Sequence, residues 1–261
     1  MVFVVDNYYG TKSFMANVPR GALKFALDII YPPKCIVCEE ILPMPIDLGI
    51  FFCSDSCANA LVLIDGITCT ICGAPAEQDK EPCRECKNRE NIFTKNIATF
   101  VYEDMVLDII QKFKYAKKTY VARGLSLLMF KRLQNLDFGQ VDYIVPIPIH
   151  KNRLKKRGFN QAALLAKNIA DYSKRPVASQ LLRRIKDTKP LSNFSPTGRQ
   201  NTLKGAFAIN KKYNVADKTI LLVDDIFTTG ATFNECSQVL YENGAKEVIC
   251  TTLSVVEFKA Y

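Results

Sequence analysis

Four cysteine pairs, Cys35/Cys38, Cys53/Cys57, Cys69/Cys72 and Cys83/Cys86, fall within 52 of the 261 residues. Two or three intervening residues let both sulfurs of a pair turn toward one ion, and four such sulfurs fill the tetrahedron that Zn2+ prefers. The eight thiols therefore predict two closed structural sites. Cys35, Cys38, Cys53 and Cys57 would share one ion, and Cys69, Cys72, Cys83 and Cys86 the other. This sequential pairing needs only short closures, 14 residues between Cys38 and Cys53 and 10 between Cys72 and Cys83. A cross-braced pairing of the first knuckle with the third stays open, because closure entropy grows slowly with length. Regular apolar periodicity is poor here, so metal would substitute for a core too small to stand alone. Disulfides would need an oxidising compartment. Closed sites leave no coordination position for catalysis.

Composition sets the wider frame. A chain with 48% hydrophobic and 23% charged residues, 12 Gly and 12 Pro can bury a core and carries no disordered or collagen-like bias. No apolar run reaches the ~18–20 residues of a membrane helix. The best N-terminal stretch, Gly21 to Tyr31, is interrupted by Lys24 and Asp28 and stopped by Pro32-Pro33. Neither a membrane span nor a signal peptide is expected, and a cytoplasmic location follows from that reading. Charge divides the chain: residues 1–90 hold 8 Lys+Arg against 12 Asp+Glu, residues 91–261 hold 27 against 14. The basic part should meet anions, either nucleotide phosphates or nucleic acid. The predicted division is an N-terminal helix and double four-cysteine module over 1–90, and a second domain over 91–261.

Beyond residue 90 apolar strand-length runs alternate with helical patterns. Strands are predicted at Asn96–Tyr102, Asp142–Pro148, Thr219–Val223 and Glu247–Val256. Helices are predicted at Asp104–Phe113 with Asp104 as cap, Tyr120–Leu136, Asn160–Tyr172, and Phe233–Glu242. That alternation argues for a parallel α/β sheet with helices on both faces. No internal repeat is evident.

The segment Thr219 to Thr232, TILLVDDIFTTGAT, carries the chemistry. An apolar strand delivers Asp224 and Asp225 to its C-terminal edge, where open α/β sheets bind ligands. Thr228, Thr229, Gly230, Ala231 and Thr232 then join strand to helix with hydroxyls, a glycine free to take positive φ, and the unpaired N–H groups of a helix start. Such a loop suits a phosphate. Walker and G-x-G-x-x-G signatures are absent.

This segment resembles the phosphoribosyl pyrophosphate (PRPP) motif of type I phosphoribosyltransferases. With the eight-cysteine module, Val145-Pro-Ile-Pro148, Arg157-Gly-Phe-Asn-Gln161 and Arg199-x-Asn201, it is similar to the ComF family of competence-associated, phosphoribosyltransferase-like proteins. The resemblance spans roughly residues 25–256 and implies an α/β type I phosphoribosyltransferase domain preceded by a zinc-binding module. It further implies that Asp224 and Asp225 grip the ribose hydroxyls of PRPP, directly or through Mg2+, and that Thr228 to Thr232 hold its 5′-phosphate. Lys112 and Lys114, in the family's Phe-Lys-Tyr-like stretch, would neutralise pyrophosphate, although an exposed helix face would look the same. Arg157 would contact or brace the ligand loop. The implied role is DNA uptake or related DNA processing, with PRPP, single-stranded DNA and a competence helicase-like ATPase as partners.

Two departures bear on the acceptor. Families that transfer to purines often place an acid where Thr228 stands, and ComF-like chains often read Thr-x-x-Gln where this one reads Thr188-Lys-Pro-Leu191. A non-catalytic PRPP-binding regulator and a single-stranded DNA adaptor are the rival readings. The cationic run Lys151 to Arg157 fits either a solvated face or an anion contact. Arg157 to Gln161 also reads as a helix entry capped by Asn160. His150, the lone histidine, reads as a surface loop residue, and Cys236 and Cys250 as small core residues. The aromatics are too dispersed to form a base-stacking platform.

Overall fold

The computed structural model describes residues 32–42, 51–78, 81–116, 118–188 and 202–257, and the chain divides into two compact units, residues 1–62 and 63–261. The expected N-terminal helix, Leu191, Arg199 and Asn201 lie outside the described residues.

In the first unit, Cys35 to Cys38 form a tight turn closed by an antiparallel bridge between Lys34 and Ile41, with Cys35 N donating to Glu40 O at 2.8 Å. Of the other two thiols, Cys53 precedes helix α1 (Asp55–Asn59) and Cys57 lies within it, where the cap Ser54 accepts from Cys57 N. The second unit opens with the same device. A Thr68–Pro75 bridge closes the Cys69 to Cys72 turn, Cys69 N donates to Ala74 O at 2.8 Å, and Cys83 caps helix α2 (Arg84–Lys87). Where the sequence shows no repeat, the structure builds one metal knuckle twice, because only the cysteines and turn geometry are shared.

Four parallel strands follow: β1 (Lys95–Val101), β2 (Tyr143–Pro146), β5 (Thr219–Phe227) and β6 (Glu247–Val255), ordered β1-β6-β5-β2. Between β2 and β5 the chain makes a short antiparallel pair, β3 (Leu182–Arg184) with β4 (Phe207–Ile209). The helices are α3 (Asp104–Tyr115), α4 (Val121–Arg132), α5 (Lys151–Arg157), α6 (Gln161–Ser173) and α7 (Ala231–Glu242). Ile220 and Leu222 of β5 share a core cluster with Cys236 and Leu240 of α7. Leu221 and Val223, fully buried, point to the opposite face by strand alternation, and that face is covered by α4 and α6. Helices on both faces and the α/β parallel sheet are as expected, and Cys236 and Cys250 are wholly buried in the core.

Several local expectations shift. Glu103, not Asp104, occupies the cap of α3; Asp104 begins the helix at φ 43°, in the first turn where an anion meets the helix dipole. Strand β5 runs through the acidic pair to Phe227, because β6 continues to pair with it, Asp224 opposite Thr252 and Phe227 opposite Val255. Strand β2 stops earlier, at Pro146 opposite Val223, where Ile147 N makes a last bond to Val223 O at 2.9 Å. Asp224 to Phe227 therefore keep a strand neighbour on one side only. The basic run forms helix α5, terminated by Gly158 at φ 89°.

Candidate functional site

The chain order places α6 after β2 and α7 after β5, so the crevice between the ends of β2 and β5 is a topological switch point, the usual ligand site of such sheets. Asp224 and Asp225 stand there. Asp224 accepts from the Asp225 backbone N–H at 2.9 Å, and Asp225 pairs with Lys114 Nζ at 2.9 Å. Burial first, and then the neighbouring Asp225 charge, push the Asp224 carboxyl up to about 7, against the opposing pull of that N–H, Lys114 and Arg184. Burial works against the Lys114 ammonium, but the charges of Asp225 and Asp224 hold its pKa above the ordinary lysine value. The crevice thus holds one carboxylate already neutralised and a second that is short of positive charge.

Beyond the pair, Gly230 adopts φ 78° and caps α7. A Cβ there would sit 3.0 Å from the Phe227 ring, so glycine serves both the turn and the close approach. Thr229 is buried, whereas Thr228 and Thr232 are partly open. Under the loop Phe93, Phe227 and Phe233 meet with ring centroids 5.9 Å apart in each pair. Thr228 to Thr232 and the acidic pair are brought together as the sequence anticipates.

The two lysines separate. Residues two apart on a helix differ by about 200° of azimuth, so only one can face the crevice. Lys114 does, and Lys112 pairs with Asp108 at 2.8 Å on the α3 surface. Arg157 stacks over Tyr115 at 5.6 Å and donates to Gln161 Oε1 at 2.7 Å, while Phe159 packs on Phe113. It ties the start of α6 to the end of α3, the turn that presents Lys114. Asn160 caps α6 through Ala162 N at 3.1 Å and holds Ile147 O at 2.9 Å, as its position predicts.

Other groups were not evident in the sequence. Arg184 on β3 is near enough for its charge to act on Asp224; it lies over Phe207 at 5.4 Å and donates to Thr188 Oγ1. Arg153 donates to Thr188 O. His150, expected at the surface, is 7% exposed. Its Nδ1 accepts from Asn152 N and lies 3.3 Å from Asp187 Oδ1. The adjacent Arg183-Arg184 was the available signal, but a three-residue strand gives too little pattern to orient it.

Both cysteine clusters converge, each with its four sulfurs within 4.8 Å of one another. Separations of 3.3 Å for Cys38–Cys53, 3.5 Å for Cys53–Cys57 and 3.8 Å for Cys72–Cys83 approach the ~3.8 Å edge of a tetrahedron with ~2.3 Å Zn–S bonds. They fit structural zinc, in the sequential pairing. The cross-braced alternative does not match these groups.

Crevice, loop and sheet belong to one parallel α/β domain, and the chain belongs to the phosphoribosyl transferase domain family, whose model matches residues 116–255. Residues 26–87 match the double zinc ribbon domain. Together they make the ComF-type pairing that the motifs resemble. Competence protein F of Haemophilus influenzae is 29% identical over 187 residues, 69% of this chain and 81% of that protein. The DNA utilization protein YhgH of Escherichia coli is 28% identical over 232 residues, covering 85% and 98%. Competence protein ComFC of Bacillus subtilis is 29% identical over 198 residues, covering 72% and 78%. No described helix is long and apolar enough to cross a membrane.

Proposed function

We propose that this chain binds PRPP with Mg2+ in the β2/β5 crevice and transfers its phosphoribosyl group, in DNA uptake or related DNA processing. The observation that carries the reading is the acidic pair leading directly into a loop already shaped by Gly230 in the left-handed conformation. Asp224 and Asp225 would hold the ribose 2′- and 3′-hydroxyls, directly or through the metal. Mg2+, when bound with PRPP, would offset the charge of the pyrophosphate. The N–H groups of Thr228 to Thr232 would hold the 5′-phosphate at the start of α7. The reaction breaks the bond between ribose C1 and pyrophosphate and forms one from C1 to the acceptor. Positive charge developing on the sugar is stabilised by the carboxylates, and negative charge on pyrophosphate by Lys114. The names of the relatives support the DNA-uptake setting.

Calorimetry with PRPP and Mg2+ tests the site. Asp224→Asn with Asp225→Asn should abolish Mg2+-dependent affinity, and equal affinity in the wild type and the double variant overturns the assignment. A PRPP-binding regulator without turnover is the second reading, supported by Thr228 standing where families that transfer to purines often place an acid. Acceptor-dependent release of pyrophosphate separates transferase from regulator.

A further inference from the structure

We propose that the second cysteine cluster and its metal position the phosphate loop of the same compact unit, with Asn234 and Asn96 as positioning residues, so that metal and loop ligand strengthen one another. This rests on reading the loop as the PRPP site. Residues 87–92 alone separate Cys86, the last thiol of the cluster, from Phe93 of the aromatic floor. That short exit is fastened at each step. Asn91 Nδ2 donates to Cys86 O at 3.0 Å and to Arg89 O at 2.9 Å. Asn234, in the first turn of α7, accepts from Ile92 N at 3.0 Å and donates to Glu90 O at 2.7 Å, while its own backbone N–H donates to Gly230 O at 2.8 Å. One residue therefore joins the metal exit to the glycine that shapes the loop. Phe93 then lies under the loop, 3.5 Å from where a Cβ on Gly230 would stand.

A second route reaches the acidic pair. Asn96 on β1 donates to Cys72 O at 2.8 Å and to Thr252 Oγ1 at 3.1 Å, and Thr252 is the β6 residue opposite Asp224. The knuckle sits close against β1, since a Cβ on Gly73 would be 2.5 Å from Asn96 O. Metal folds such a knuckle, and a loop held in its binding conformation saves the ordering cost on binding. The coupling is necessarily reciprocal. The first cluster, in the other compact unit, serves as the internal control.

The test uses full-length, zinc-loaded protein titrated with the chelator 4-(2-pyridylazo)resorcinol, the two zinc sites being assigned with Cys38→Ser and Cys72→Ser. PRPP with Mg2+ should raise the chelator concentration needed to empty the second cluster about fivefold or more, and leave the first unchanged. Asn234→Ala should cut that shift by at least half with two zinc ions still bound, the Asn96 route remaining, and Asn234→Asp, which keeps the acceptor for Ile92 N, should restore part of it. Equal shifts at both clusters, or none, overturn the proposal. Hydrogen exchange decides independently of PRPP: amides 228–234 should exchange faster in Asn234→Ala and after zinc loss from the second cluster, but not in Cys57→Ser. If calorimetry finds no PRPP binding to the wild type, the functional reading fails. Unchanged exchange in this second measurement overturns the coupling whether or not PRPP binds.

Discussion

Asp224→Asn should make the protein more stable at pH 8 while removing a group the proposed site needs. The folded state raises the Asp224 carboxyl from 3.8 to about 7, through burial and then the Asp225 charge. A raised folded pKa means that its stabilising contribution is complete below pH 3.8 and is lost as pH rises through about 7. At ~1.36 kcal/mol per pKa unit, the ceiling on that loss is about 4 kcal/mol. Asp224 is only partly shielded from solvent, so screening reduces the expected effect to about 2 kcal/mol. The amide keeps the oxygen that accepts from Asp225 N and carries no charge. Urea denaturation at pH 5 and pH 8, without Mg2+ and without chelator, measures the effect. The wild type should lose stability between the two pH values, and the variant should lose about 1 kcal/mol less, because only the part of the loss above pH 5 falls within this window. A variant destabilised equally at both pH values would refute the view that this carboxylate is held against its own preference.

Lys114→Ala breaks a largely buried ion pair and should cost about 2–3 kcal/mol by denaturant midpoint, whereas Lys112→Ala, on the helix surface, should stay within about 0.5 kcal/mol; equal costs would contradict the separation of the two. Gly73→Ala forces a Cβ to 2.5 Å from Asn96 O at φ 73°, and should lower stability by about 3 kcal/mol, read as a fall in melting temperature. Lys151, Lys155 and Lys156 are exposed on α5; if they contact single-stranded DNA, replacing all three by Ala should flatten the plot of log affinity against log salt by about 2. An unchanged slope moves the contact elsewhere.

What could be read from the sequence was local. The cysteine spacings report metal geometry because each pair closes over two or three residues, and TILLV reads as a buried strand because it is continuously apolar. Gly230 was legible because its turn demands positive φ. The continuation of β5 through Asp224 and Asp225 was hidden, since adjacent acids resemble a loop start and only β6 shows that the ladder persists. Lys112 and Lys114 look alike until the phase of α3 is known. Asn234 reaches partners 142 and 144 residues away, and no local pattern records such a bond. Helix α5 has Leu154 as its sole large aliphatic residue, 43% exposed, so it offers no apolar stripe to detect.

The aromatic floor of Phe93, Phe227 and Phe233 would have a further effect on an anion held at the proposed loop. Three rings present no strong dipole and admit little water, so the medium on that side is weakly polarisable, and the field of the loop's N–H groups is screened less than it would be at an open helix end. Mobile ions are excluded from the same space. Added salt should therefore weaken a phosphate bound there far less than it weakens a polyanion lying on the exposed lysines of α5, which leaves small-ligand occupancy steady under conditions that strip the surface.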